Sequence, residues 1–215
     1  MSYDLIYSEF LKALQDFDRA KAIEVAQQAL QDNQITIPDL YEKVLAPSLN
    51  QVASNTREQQ IAIWEEHIYS GIVRSVVESI FPYIQKGSKP IGKKAIVFCL
   101  EEEYHELGAR MTLDYLTLLG FEGYFIGANT PKNEAISAIN HFKPDLVCIS
   151  VTNYFHLTRL HGFIDALKNT HTETSFKLLV GGYAIHHSSN VKDSLKADYY
   201  ASTYQDLEAV KEDIL

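Results

Sequence analysis

Along residues 1–87 the apolar positions recur every three or four residues, the period of helices that bury one face. In "DLIYSEFLKALQDF", Leu5, Phe10, Leu11 and Leu14 fall close to one side, and "DRAKAIEVAQQALQDN" repeats the arrangement. A third segment, "TIPDLYEKVLAPSLNQVASN", carries Pro38 near its start, where a missing N–H costs little, and Pro47 further in, where a kink is expected. The longest segment, "REQQIAIWEEHIYSGIVRSVVESIFPYIQKG", reads as one helix closed by Gly87. Four helices with short connections predict a four-helix bundle over residues 1–87.

The pattern changes after "KGSKPIGKK" (86–94), which reads as a linker. Short apolar or aromatic runs follow: "KAIVFCL", "EGYFIGA", "PDLVCISV", "FKLLVGG" and "ADYYAS", the first four separated by helical stretches. Near-continuous apolar strands alternating with helices predict a parallel sheet covered on both faces. Residues 92–215 are therefore expected to form a five-stranded, doubly wound, Rossmann-like or flavodoxin-like domain, making the whole chain α plus α/β. Such sheets bind ligands beyond the carboxyl ends of their strands. His105 follows the first strand, Ser150 ends the third and Gly181-Gly182 end the fourth, so the three features are expected to converge.

Composition narrows the partners. A formal net charge of -9 argues against direct binding of nucleic acid, which needs clustered Lys and Arg. No apolar run approaches the ~20 residues that span a bilayer, and the first ten residues lack the basic flank and apolar core of a signal peptide. Cys99 and Cys148 lie inside apolar runs, which predicts buried thiols, a reducing compartment and a cytoplasmic protein.

The chemistry concentrates in "LEEEYHELG" (100–108). Three acids after the first strand suit a receiver domain, but the third strand ends "CISVTNYF" without a phospho-accepting aspartate. A phosphate-cradling nucleotide site needs glycines where this loop has carboxylates that repel phosphate. A metal site fits better. An imidazole binds a transition metal, and its second ring nitrogen usually donates to a carboxylate, here Glu103. With no second protein ligand nearby, a macrocycle is expected to supply the rest.

The sequence Glu103-x-His105-x-x-Gly108 resembles the first element of the cobalamin-binding domain family, whose usual form has Asp in the first place. The later elements stand at that family's spacing: 41 residues, 109–149, separate Gly108 from Ser150, and 28 residues, 153–180, separate the triplet ending at Thr152 from Gly181-Gly182. Gly127 to Pro131 resembles its Gly-x-x-x-Pro turn, and a helical bundle before the domain is also a family feature. The resemblance implies His105 as the lower axial ligand of cobalt in a base-off cobalamin, with Glu103 bonded to the far imidazole nitrogen. It implies that Ser150 bonds the displaced nucleotide tail and that Gly108, Gly181 and Gly182 leave room for it. Thr152, in place of Leu or Val, makes that pocket more polar.

The Glu-x-His form resembles the light-sensing cobalamin regulators of the CarH and LitR group. In that group a tryptophan in the bundle precedes a Glu-His pair and covers the upper corrin face. Here Glu66-His67 matches the pair, but Thr56 stands in the tryptophan position. By helical period Thr56, Ile63 and His67 share a face, which makes His67 a candidate upper cobalt ligand. Trp64, three residues before His67, is a partial substitute for the lid or a core residue. The resemblance thus implies a cobalamin-binding sensory module, light-responsive and acting through a protein partner or self-association. The upper ligand is left open among adenosyl, methyl and hydroxyl. The alternative is a corrinoid carrier for a methyltransferase; a cofactor-free interaction protein is a third reading. Glu101 and Glu102 are expected to be solvated or to cap the next helix, and His186-His187 to lie at the surface. His156, in the loop after the third strand, is a candidate to face the cofactor, without a rank.

Overall fold

The structure, a computed structural model, describes residues 3–54, 62–169, 175–188 and 191–215. The chain divides into two compact units, Met1–Gly87 and Ser88–Leu215.

The first unit is helical: α1 (Tyr3–Gln15), α2 (Arg19–Gln31), α3 (Ile37–Asp39) running through a π-helical stretch (Leu40–Leu45) into α4 (Ala46–Ser54), then α5 (Ile63–Ser79) and α6 (Phe81–Gly87). Its core gathers Ile6, Phe10 and Leu14 of α1, Ala22 and Ala26 of α2, and Val73 and Val76 of α5. On α1 the buried stripe is Ile6, Phe10, Ala13 and Leu14, while Leu5 is exposed, so the buried face is turned by one residue from the expected one. Pro38 sits in the first turn behind the Thr36 cap, as its missing N–H favours. Pro47 does not interrupt the helical path. The preceding π turn, in which Ala46 N–H donates to Tyr41 O, widens the ladder ahead of the proline.

Among the described residues, the single helix expected over 57–87 is two helices, α5 and α6. Ala62 is extended (φ −67°, ψ 142°), so α5 starts at Ile63, with the Glu65 carboxylate accepting from the Ala62 N–H. Ile80 ends α5, and α6 begins at Phe81 with Pro82, which cannot donate to the previous turn.

The second unit contains β1 (Lys94–Leu100), α7 (Leu107–Leu118), β2 (Glu122–Thr130), α8 (Lys132–Phe142), β3 (Leu146–Ser150), a 3-10 turn (Tyr154–His156), α9 (Leu157–Asn169), β4 (Lys177–Gly181), α10 (Tyr183–His186), α11 (Val191–Leu195), β5 (Tyr199–Ala201) and α12 (Tyr204–Ile214). All strand pairs are parallel, in the order β2-β1-β3-β4-β5. That is the flavodoxin-like arrangement, whose ligand crevice lies at the ends of β1 and β3. The central strands are apolar throughout because both faces are covered: Ile96, Phe98, Val147, Ile149 and Val180 pack with Phe163 and Leu160 of α9 in one core. Two aspartates fix the register by the same device. Asp145 accepts from Lys94 N–H and Lys93 Nζ, and Asp198 from Leu178 N–H and Lys177 Nζ. The expected linker is partly built into this unit, since Ser88 Oγ donates to Thr117 O (2.6 Å) and Ile91 N–H to Gly120 O (2.9 Å).

Candidate functional site

The loop after β1 is held at its turn. Glu103 N–H donates to Leu100 O, and Glu102 takes a left-handed φ of 67°. Asn129, at the end of β2, grips both sides: its Oδ1 accepts from Glu102 N–H and its N–H donates to Glu103 O. Arg159 of α9 pairs with Glu102 (2.5 Å) and donates to Glu101 O. Glu101 and Glu102 thus serve the loop's outer side and do not cap α7, whose N-cap is Glu106.

This turn drives Glu103 inward until none of its surface is exposed. Its two oxygens have separate tasks. Oε1 accepts from His105 N–H (3.1 Å) and faces His105 Nδ1 at 2.5 Å. Oε2 accepts from the N–H groups of Thr152 and Asn153, both 2.9 Å, and faces His156 Nδ1 at 3.0 Å. Burial alone would raise the Glu103 pKa, but the bonds from His105, Asn153 and His156 outweigh it and hold the carboxyl well below the usual range. An ionised carboxylate only accepts, so the protons of both imidazoles sit on Nδ1. The lone pair of His105 is therefore on Nε2, the atom suited to a metal, and half of its side chain is exposed.

The expected convergence is present. Ser150 pairs with Cys99 of β1 and Gly181 of β4 in the sheet, and a Cβ built on Gly108 would come no nearer than 3.9 Å, to Ser150 Oγ. Gly108 thus leaves open space over the strand ends. Gly181 and Gly182 are constrained differently. A Cβ on Gly181 would lie 2.7 Å from Ala201 O, and one on Gly182 (φ 98°) 2.4 Å from Val151 O. The protein's own backbone already demands glycine at both. Beyond them a cavity of about 190 Å³ opens between β4, β5 and the start of α12, lined by Gly182, Ile185, His186 and Ala201 among others. His187 stacks on Tyr183 with ring centroids 4.0 Å apart.

Of the bundle candidates, Glu66, His67 and Trp64 lie in the first two turns of α5, all exposed. Trp64 is 58% exposed and tilts against Phe17, so it is not a core residue. Thr56, expected to share a face with Ile63 and His67, lies outside the described residues.

Asn153 escaped sequence reasoning, and the contact that His156 makes was not foreseen. Asn153 donates its N–H to Glu103, and its Oδ1 accepts from Phe155 N–H, opening the turn that swings His156 back onto the same carboxylate. The available signal was an Asn cap followed three residues later by a histidine, at the end of a strand already assigned to the site.

The arrangement suits a metal held by one imidazole. Among the described residues no group of three or more His, Cys, Asp or Glu side chains is placed to hold an ion by itself. A family model described as a B12 binding domain matches residues 93–208, more than half of the chain. The chain belongs to the B12 binding domain family. A second B12 binding domain model matches residues 6–80, so both units belong to the resemblance. Cobalamin is the cofactor of this protein, and the half-exposed, carboxylate-backed imidazole with open space at Gly108 fits it.

Two curated relatives frame the family. Trimethylamine corrinoid protein 1 of Methanosarcina acetivorans is 22% identical over 209 residues, 96% of this chain and 95% of its own. The HTH-type transcriptional repressor CarH of Myxococcus xanthus is 26% identical over 144 residues, 65% of this chain but 45% of its own. Among solved structures, the monomethylamine corrinoid protein of Methanosarcina barkeri superposes over the full length of both chains with a TM-score of 0.86 at 19% identity. The methanol:cobalamin methyltransferase complex MtaBC of the same organism matches with a TM-score of 0.50 at 17% identity over 98% of this chain and 80% of that one. These likenesses show the fold. No helix among the described residues is long and apolar enough to cross a membrane.

Proposed function

We infer that this protein is the corrinoid carrier of a methyltransferase system, rather than the light sensor first expected. The observation that carries the reading is the correspondence with trimethylamine corrinoid protein 1, which runs through both units and nearly the whole length of each chain. Bound here, the corrinoid supplies a cobalt centre able to carry a methyl group between partner enzymes. The chain's own residues hold and orient it. His105 Nε2 would be the donor to cobalt, with the ring held by Glu103 through Nδ1. Ser150 and Gly108 would border the cofactor's nucleotide tail, and the cavity beyond Gly182 would have room for part of it. Thr152 contributes its backbone N–H to Glu103. Buried free thiols at Cys99 and Cys148 favour a reducing compartment such as the cytoplasm. The partner is a methyltransferase protein, and self-association is compatible with this role.

A second reading, a light-responsive sensor signalling through protein contacts, is favoured by the Glu66-His67 pair, with His67 as upper ligand beside Trp64, and by the match to CarH. One experiment separates the two. The protein reconstituted with methylcobalamin or adenosylcobalamin is illuminated; the protein reconstituted with hydroxocobalamin is reduced to cob(I)alamin with a chemical reductant and mixed in the dark with a candidate methyltransferase and a labelled methyl donor, so that cobalt takes the methyl cation and the demethylated donor leaves. Label recovered on the bound cofactor supports the carrier. A light-driven change in spectrum and oligomeric state, without label transfer, replaces it with the sensor.

A further inference from the structure

We propose that the cavity beside Gly182 chooses among corrinoids by the polarity of the base that ends the nucleotide tail. It favours a flat heteroaromatic base with hydrogen-bonding substituents over one that carries only methyl groups. This rests on the reading that the cavity takes part of the tail when His105 holds the cobalt. The cavity adjoins the site directly, since Ser150 pairs with Gly181 in the sheet and Gly182 is part of the wall. Its volume of about 190 Å³ suits one bicyclic ring, not the whole tail.

Ile185 and Ala201 give the wall an apolar part, where the face of a ring gains from burial. The rest carries charge and hydrogen-bonding groups: Asp206, Lys192, His186 and Ser202. Asp206 accepts from Ser202 N–H (2.8 Å), Ser202 Oγ (3.2 Å) and Thr203 N–H (3.0 Å), all on Oδ2, which leaves Oδ1 to accept from a ligand. Burial would raise the Asp206 pKa, but these bonds outweigh it and hold the carboxyl below its usual value, so it is ionised and only accepts. Lys192 is tied to the wall by Tyr200, whose hydroxyl donates to Lys192 O (2.6 Å) and whose ring lies 5.6 Å beneath Nζ. His186 donates or accepts according to its tautomer. A dimethylated base entering this space strips water from the Asp206 and Lys192 charges and returns no hydrogen bond from its methyl groups. An amino or hydroxyl substituent returns one to Asp206 or His186, and a ring nitrogen or hydroxyl oxygen accepts from Lys192. A site lined in this way rejects the analogue that lacks the polar group.

The test uses the full chain and four corrinoids in their aquo forms: cobalamin, the analogue with adenine as its base, the analogue whose benzimidazole carries a hydroxyl in place of the two methyls, and base-free cobinamide. Each is titrated by absorbance into wild type, His186→Phe and Lys192→Met, and far-UV circular dichroism identifies the variants that fold. Comparing each corrinoid with itself across the proteins cancels the different strengths with which the free bases hold cobalt. The expected result is about tenfold weaker binding of the adenine and hydroxyl analogues in at least one variant, the worth of one hydrogen bond to a charged group. Cobalamin should lose much less and cobinamide nothing. If the folded variants weaken all three base-bearing corrinoids alike and spare cobinamide, the tail occupies the cavity without being chosen there, and the proposal alone is overturned. If they bind all four as wild type does, the tail does not reach the cavity, and the reading beneath the proposal falls with it.

Discussion

Glu103 is the residue on which the site turns, and its burden can be measured without the cofactor. It satisfies four N–H donors of the β1 and β3 loops together with the His105 main chain. Glu103→Gln keeps the shape but offers one acceptor oxygen and turns an NH₂ group towards N–H groups. Stability at pH 7 should fall by about 2–4 kcal/mol, read from the urea midpoint. The pH dependence has a definite sign. The folded carboxyl lies below its ordinary value of 4.5, so its contribution is present above that pH and is lost as the pH falls beneath it. The gap between wild type and Glu103→Gln should therefore be widest near neutrality and narrow below pH 4.5. The thiols give a second prediction. Burial, reinforced by the Glu103 and Glu106 charges, pushes Cys99 up to about 12, and burial alone pushes Cys148 up. Neither should react with a thiol reagent at pH 8 until denaturant is added. Glu103 and His105 were legible because they adjoin in sequence. His156 was not, because its contact depends on how the β3 loop turns.

At the scale of elements, the glycines separate two requirements that the sequence merged. Gly182→Ala forces a Cβ into the Val151 backbone at a left-handed φ, so it should destabilise the fold by on the order of 2–4 kcal/mol or prevent folding. Gly108→Ala meets only Ser150 Oγ at 3.9 Å and lies in the first turns of α7, where alanine favours the helix. It should melt no lower than wild type yet bind hydroxocobalamin less tightly. A melting curve and an absorbance titration on both variants check the contrast; weak folding in Gly108→Ala would show that this glycine too serves packing. The strands were readable because β1 and β3 are buried on both faces, and continuous apolar runs leave little alternative. The ends of the bundle helices were not. The break at Ile80 depends on where Pro82 meets the preceding turn, and the start of α5 at Ile63 lies inside a stretch whose helical period in sequence is unbroken.

At the scale of the molecule, the division at Gly87 has a thermodynamic consequence. The core of the second unit, from Ile96 to Leu195, is drawn entirely from its own strands and helices. Every residue bonded to Glu103 also lies in that unit, as do Ser150, the three site glycines and the cavity behind Gly182. Residues 88–91 belong with it, because Ser88 and Ile91 close hydrogen bonds onto the α7–β2 corner, and Gly120 can carry no Cβ beneath Lys89 O (2.1 Å). A fragment of residues 88–215 should therefore fold, melt cooperatively and bind hydroxocobalamin through His105. A fragment starting at Lys94 loses those closures and should melt several degrees lower, since in a domain of this size each kcal/mol is worth about 3–6 °C. Calorimetry and absorbance titration of the two fragments decide it. If the 88–215 fragment folds but takes up no cobalamin, residues of the first unit are required for binding. Glu66 and His67 would then be the first positions to substitute.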